Sequence, residues 1–517
     1  MASDRHGWLI RTIAAWTKTP GGAVAALILA TFLARVMFAS ALGLGIDESY
    51  MVAAGRRLQL SYFDHPPIAW WMAWSAAHLA GSESAIAVRL PFVALFALTT
   101  WLMYRVTAAL FGAPAGLWAA VLLNLVPVFG VTTGTWVLPD GPLLAALLGA
   151  TACMIAALPS DDRRAWGWWA GAGACVGLAF CSKYSAALSI IGLVAFLFTE
   201  STCRRWLLRP QPYAAGLIAL VIFAPVLIWN AQHGWVSFLF QGGRAIGELH
   251  PLGPVFNIGG QAVFILPWIW APLVWCGVTA ARRGPGDKAR WLLVCLAAPA
   301  ILVFTAASLW SNVLYHWAAP GYVMLVPLLG DAVARHWRNR RPVRIWLKAT
   351  AAIVVFGAIF FASEVRFNWL PDEIAGFPLK DHSLDIVDWT SLREELSNRG
   401  FLDRPGLVIA ATRWIDAGKI DYALGGRVPV ICLGPDARQY GLIAKRDDYA
   451  GNDVLIALPR GSRNSVVDEF RLLFDRIKPI PPATVLHAGW TAMSVPLFIG
   501  HHLHAAGAGL SDREGSP

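Results

Sequence analysis

From Gly22 to Leu44 the chain reads "GAVAALILATFLARVMFASALGL", an almost unbroken apolar run of 23 residues. A helix of that length crosses the roughly 30 Å hydrocarbon core of a bilayer. The run is too long for a signal-peptide core, and no convincing cleavage site precedes Asp47, so it reads as a retained span. Similar runs recur. A window of about 19 residues marks spans at 22–44, 87–110, 114–133, 141–158, 166–182, 184–200, 212–230, 258–280, 291–309, 318–334 and 345–363. The expected fold class is therefore an α-helical polytopic membrane protein of about eleven transmembrane helices. Composition agrees: 14% of residues are charged, against about 25% in an ordinary soluble protein. The 26 tryptophans and the net charge of +10 suit a chain anchored at bilayer interfaces rather than one that meets nucleic acid.

Charge asymmetry sets the orientation. Arg5, Arg11 and Lys18 precede the first span, which puts the N-terminus in the cytoplasm and Asp47 on the far side. The loops then assigned to the cytoplasm read "DDRRAW", "STCRRWLLRP", "ARRGPGDKAR" and "ARHWRNRRPVRIWLK". Outer loops carry little Lys or Arg beyond Arg56, Arg57, Arg89, Lys183 and Arg244. Two short apolar segments, 68–80 and 234–245, cannot cross the core and read as Trp-bearing helices in the outer interface.

After Glu364 the pattern changes. "GLVIAAT", "VPVICLG" and "DVLIALP" read as short buried strands, while "LDIVDWTSLREEL" and "SVVDEFRLLFDRI" have helical spacing. The expected division is a membrane part at 1–364 with its first outer loop at 45–86, a small periplasmic α/β domain at 365–505, and a disordered tail at 506–517. The seven cysteines lie mostly in apolar runs (Cys153, Cys175, Cys181, Cys276, Cys295) and lack zinc or redox spacing.

The remaining unusual charges fall on the outer side: Asp47, Glu48, Asp64, His65, Arg89, Asp140, Lys183, Arg244 and His316. Ionisable residues at membrane depth are costly and mark function by default. Each also has a plainer reading. Asp47 and Glu48 suit the dipole of a helix opening near Ser49, Asp140 could cap a helix, Lys183 could snorkel, and His316 could be an interfacial hydrogen-bonding histidine. His233 and His250 read as loop histidines. Taken together, the set suggests a chemistry. A carboxylate that takes a proton from a hydroxyl suits attack on a sugar carbon. Lys, Arg and His suit a phosphate that gains charge as it leaves. No GxGxxG or Walker pattern points to a nucleotide donor.

The order of motifs resembles the GT-C integral-membrane glycosyltransferases, in particular bacterial relatives of protein O-mannosyltransferases and of the lipid A aminoarabinose transferase. The resemblance rests on Asp47-Glu48, "YFDHPP" (Tyr62 to Pro67), "RLP" (Arg89 to Pro91), "LPDGPLL" (Leu138 to Leu144), "GLAFCSKYSAAL" (Gly177 to Leu188), "WNAQHGWVSFLFQ" (Trp229 to Gln241) and "YHWAAPGY" (Tyr315 to Tyr322). It covers roughly residues 10–365 and little of the C-terminal domain.

The resemblance implies inverting transfer of a sugar from polyprenyl phosphate to a periplasmic acceptor, most readily lipid A or lipopolysaccharide core, at the bacterial inner membrane. It implies Asp47 as the base and Glu48 as its orienting partner. Lys183 and Arg244 would hold the donor phosphate, with Arg89, Tyr184 and His316 on the donor side and Asp140 binding the sugar or positioning Lys183. His65 stands where the aminoarabinose transferases carry a lysine. Tyr62, Asp64, Tyr315 and Tyr322 would line the acceptor side. Asp64 takes the place of a metal-contacting acid, yet "FLFQGGR" offers no second histidine ligand, so a divalent cation stays open and no cofactor is certain. The competing readings are a flippase for a lipid-linked sugar, a protein or polysaccharide O-glycosyltransferase of the same fold, and a scaffold. The paired, Gly/Pro-interrupted half-spans of inverted-repeat carriers are not seen.

Overall fold

The computed structural model describes residues 19–160, 163–244, 247–370, 373–374, 377–378, 385–459 and 470–505. Arg5, Arg11, Lys18, the "DD" of "DDRRAW" and the expected tail at 506–517 lie outside them. The described residues form two compact units interleaved in sequence. One holds residues up to 37 with 60–69 and 89–356; the other holds 38–59, 70–88 and 357 onward. The expected cut at 364 left the whole first outer loop with the membrane part. In the structure most of that loop packs with the C-terminal domain.

The first unit is helical. Among the described residues seven helices are long and apolar enough to cross a membrane: Pro20–Ala41, Ala85–Phe111, Asp140–Ala157, Pro210–Gln232, Lys288–Ala307, Tyr315–His336 and Arg341–Phe367, some of which continue into the second unit. Helices also stand at four further expected spans: Ala113–Leu125 with a π-turn at Val128–Thr133, Arg163–Phe180, Ala186–Thr199, and Gly253–Ile265 followed by Pro267–Arg283. The last is a correction. The apolar run expected as one span at 258–280 is bent by 110°. Pro267 lacks an N–H and disfavours helical geometry in the residue before it, and Leu266 takes φ 75° there.

Large side chains such as Leu217, Val221, Val355, Phe356 and Ile359 are exposed on these helices. That arrangement is reasonable only where the solvent is lipid. Helices approach through small residues: a Cβ on Gly192 would sit 2.1 Å from the Cys295 carbonyl oxygen. The helices Asp140–Ala157 and Ala319–His336 are enclosed over most of their length. The short apolar segments are helices as expected, at Ile68–Ala80 and Val236–Gly243.

The second unit is α/β. A two-residue hairpin, β1 (Glu373–Ile374) and β2 (Phe377–Pro378), precedes a five-stranded sheet. Its strands are β3 (Val408–Ala411), β4 (Val430–Cys432), β5 (Val454–Ala457), β6 (Phe474–His487) and β7 (Trp490–Leu503), in the order β4-β3-β5-β7-β6. The three strands expected from sequence, β3, β4 and β5, are parallel to one another. Parallel strands are covered on both faces, which is why they read as continuous apolar runs. A helix, Trp414–Leu424, crosses from β3 to β4, and Ser391–Asn398 is helical as expected.

"SVVDEFRLLFDRI" is corrected in part. Its residues 465–469 lie outside the described set, and from Phe474 the chain is the strand β6. Pro479, Pro481 and Pro482 follow, and proline is tolerated in a sheet at an edge. β6 is an edge strand, with its register shifted between Ile480 and Ala483.

Candidate functional site

In the membrane unit the centre is an ion pair. The helix Arg163–Phe180 unwinds into a tight turn, with the Lys183 N–H bonded to the Ala179 carbonyl at 2.9 Å. Lys183 Nζ then donates to both carboxylate oxygens of Asp140, at 2.9 and 3.0 Å. Asp140 is the first residue of Asp140–Ala157, where a negative charge complements the helix dipole. Both side chains are largely buried, at 12% and 8% exposure. His316, in the turn Tyr315–Ala318 that leads into Ala319–His336, lies within electrostatic reach of both, and His65 within reach of Asp140. Asp140, Lys183, His316 and His65 are thus brought together from four distant stretches.

Beside them the segment 61–65 is strapped to the helix Val236–Gly243. Ser237 Oγ donates to the Tyr62 carbonyl at 3.3 Å, Gln241 Nε2 donates to the Asp64 carbonyl at 2.6 Å, and Phe63 packs on Phe240. Tyr184, next to Lys183, bonds Ser237 Oγ at 2.7 Å through its hydroxyl. The consecutive left-handed residues Gly234 and Trp235 turn the chain from Pro210–Gln232 into this short helix. Tyr62 and Asp64 are buried. Arg89 is fully buried near the start of Ala85–Phe111. Arg244 stacks over Phe240 and over Trp317, the neighbour of His316, at 5.1 and 4.7 Å.

Tyr315 and Tyr322 part company. Tyr315, half exposed, packs against Gly260 and Phe264 and lines a cavity of about 520 Å³ with His250, Asn257 and Asn312. A second cavity of about 450 Å³ runs from Arg244 to Trp310 and shares His250 and Asn312. Tyr322 is instead built into a buried polar network: it accepts from Trp270 Nε1 at 2.9 Å and donates to Gln261 Oε1 at 2.6 Å. That network ties both limbs of the broken span to the enclosed helix. In the sequence His250 reads as a loop histidine, and nothing there marks it as lining a cavity. His233 is bonded through Nδ1 to the Trp229 carbonyl and stacked on that indole.

Among the described residues no three His, Cys, Asp or Glu side chains gather as a metal site. At Asp64 the neighbouring Gln241 amide nitrogen donates to the backbone carbonyl.

Asp47 and Glu48 belong to the second unit, in the first turn of the helix Ile46–Ala54. Glu48 is buried and its Oε2 accepts the Gly45 N–H at 2.8 Å, which closes the N-terminus of the helix. Asp47 is exposed. The helix opens at Ile46, three residues before the expected Ser49, and both acids stand in its first turn.

Residues 64–229 match the dolichyl-phosphate-mannose-protein mannosyltransferase family. The chain is 26% identical over 294 residues to the lipid A galacturonosyltransferase RgtD of Rhizobium johnstonii, over 54% of this chain and 58% of that relative. The match thus spans less than two thirds of the relative's length. The crystal structure of ArnT from Cupriavidus metallidurans in the apo state aligns with a TM-score of 0.61 at 15% identity, over 96% of this chain and 98% of that one. ArnT bound to undecaprenyl phosphate aligns with the same TM-score and identity over 92% and 97%. The chain is a multi-pass membrane protein with the fold of the GT-C glycosyltransferases.

Proposed function

We propose that this protein is an inverting glycosyltransferase. It would move a sugar from a polyprenyl-phosphate donor to lipid A or lipopolysaccharide core on the periplasmic face of a bacterial inner membrane. The observation that carries the reading is the buried Lys183, held by both oxygens of Asp140 next to His316 and His65. A fixed cation with two histidines in a largely apolar setting suits a phosphate that gains charge in the transition state. The similarity to RgtD and to ArnT with its undecaprenyl phosphate supports a lipid phosphate as that group.

In this reading the acceptor hydroxyl attacks the anomeric carbon. The new C–O bond forms as the bond from that carbon to the phosphate oxygen breaks. The hydroxyl proton goes to Asp47 and the polyprenyl phosphate leaves against Lys183, with Arg244 a second cation on the donor side. Glu48 acts by fixing the turn that carries Asp47. The cytoplasmic N-terminus, the periplasmic site and a membrane part at 1–364, less the stretches of its first outer loop that pack with the α/β domain at 365–505, belong to the same proposal.

The test is transfer by the purified protein in liposomes. It is given extracted outer-membrane lipid and a panel of polyprenyl-phosphate sugars, beginning with galacturonic acid, aminoarabinose and mannose. Asp47→Asn runs in parallel and should lose at least about 100-fold in rate, the ordinary loss when a general base is removed. No product from any donor, together with tight donor binding by both proteins, would transfer the reading to a carrier of lipid-linked sugars.

A further inference from the structure

Lys419 is the most unusual buried residue of the second unit. It lies in the middle of Trp414–Leu424, is 1% exposed, and has its Nζ 5.2 Å from the centre of the Trp389 ring. Its ammonium donates to the main-chain carbonyl of Leu44 at 2.7 Å and to that of Val387 at 2.8 Å. A buried lysine is a poor route to stability, because taking an ammonium out of water carries a desolvation penalty that neutral packing would avoid. What such a group can supply is a fixed geometry.

The geometry concerns one short stretch. At its start, a Cβ on Gly43 would lie 2.6 Å from Asp388 N and 2.7 Å from Ile386 O, so the two main chains joined by Lys419 already touch. Past Asp47, a Cβ on Gly418 would lie 2.7 Å from Tyr50 Cα, so Trp414–Leu424 packs directly on the backbone of Ile46–Ala54. The Tyr50 hydroxyl accepts the Gln439 N–H at 3.1 Å. Arg56, just after the helix, bonds Asp421 at 2.6 Å and Glu83 at 2.7 and 2.8 Å. Residues 43 to 56 are therefore held at both ends by the C-terminal domain, and Asp47 lies between the holds.

We propose that Lys419 is a positioning residue, and that the C-terminal domain sets the place of Asp47 through the Lys419 bridge to Leu44 and the bare contact of Gly418 with Tyr50. This rests on the reading of Asp47 as the base. It makes the α/β domain part of the reaction machinery rather than an appended binding module. A base displaced by about 1 Å loses on the order of 100-fold in rate, while donor binding is left alone.

The test uses the full chain in nanodiscs, with two variants. Lys419→Met keeps the volume and removes the donor. Gly418→Ala keeps Lys419 and pushes a methyl group against Tyr50. Hydrogen exchange of the backbone at 43–55 should rise in both, with β3 and β5 still protected. In the transfer assay kcat should fall about 10- to 100-fold with the donor KM unchanged. Unchanged exchange at 43–55 in Lys419→Met, or wild-type kcat despite faster exchange, overturns the proposal, as does a fall confined to donor KM. Loss of protection at β3 and β5 as well would mean that Lys419 serves the domain fold alone, and also overturns it. A wild-type protein that transfers no sugar sinks the functional reading instead. The exchange measurement needs no turnover and still decides whether the bridge holds the turn.

Discussion

Consider removing the two ends of the Lys183–Asp140 pair, singly and together. At 2.9–3.0 Å the gross attraction is about 5–6 kcal/mol for an effective dielectric constant of about 20. Desolvation of two largely buried groups offsets much of it, so the pair as a whole adds little. Breaking it is another matter. Asp140→Asn strands an ammonium and Lys183→Met strands a carboxylate, and either loss in a buried site costs about 3–5 kcal/mol. The double variant strands neither. The expected coupling is at least about 2–3 kcal/mol, so the double variant and the product of the singles should differ by roughly 30- to 150-fold or more. The half-life of the folded protein in detergent at one temperature is the right measure, because membrane proteins of this size unfold irreversibly. Additivity to within about 0.5 kcal/mol would refute the argument.

The same variants separate a structural pair from a phosphate site. A hydrogen bond to a charged group contributes about 1.5–3 kcal/mol, so Lys183→Met should weaken undecaprenyl-phosphate binding by roughly 10- to 150-fold. Asp140→Asn leaves the cation in place. It should bind the lipid phosphate at least as well as wild type while turnover falls, since the ammonium loses the carboxylate that aims it. Equal loss of lipid binding in both variants would mean that the pair matters only for the fold. Native mass spectrometry with the lipid resolves the two outcomes.

Two further outcomes follow from packing and charge. Gly192→Ala should shorten the folded half-life, because the new methyl meets the Cys295 carbonyl at 2.1 Å and overpacking costs about 1–3 kcal/mol; Gly216→Ala, with nothing within 4 Å, should not, and equal effects would refute the contact. On the sheet, His504 Nε2 bonds Asp475 at 2.8 Å, which raises the histidine pKa and lowers that of the carboxylate. The histidine's share of stability is full below its ordinary value of about 6.5 and fades as pH rises through its folded value. The carboxylate's share is full above about 3.9 and fades as pH falls through its own. The pair therefore contributes most between about pH 4 and 6.5. In histidine-labelled full-length protein the His504 midpoint should lie above the ordinary value and return toward it in Asp475→Asn.

The helices were legible because a run of apolar side chains in lipid has one low-energy solution. The exceptions are places where the same letters allow two answers. Pro267 sits in an apolar run like Pro91 and Pro225, which stay inside straight-through helices. What differs is Leu266 turning to φ 75°, and no pattern of hydrophobicity marks that. The strand β6 was missed for a related reason. Its first residues have helical spacing, and whether the prolines beyond them end a helix or line a sheet edge depends on which strand lies beside them.

The site follows the same logic at the level of single residues. A charge in a greasy run is conspicuous, so Asp140, Lys183 and His316 could be named from sequence. Their convergence could not, because Lys183 and Asp140 stand 43 positions apart. Tyr322 was conspicuous as part of a motif, yet its hydroxyl is committed to Trp270 and Gln261. Lys419 shows the reverse. In "WIDAGKIDYAL" it looks like an ordinary solvated lysine on a soluble helix. The main chains of residues 44 and 387 and the Trp389 ring enclose it, and the first of these comes from the other end of the chain. A charged residue can be recognised from sequence when its surroundings are local and apolar. It goes unnoticed when the partner that desolvates it comes from the other end of the chain, and the positioning residue of this loop is of that second kind.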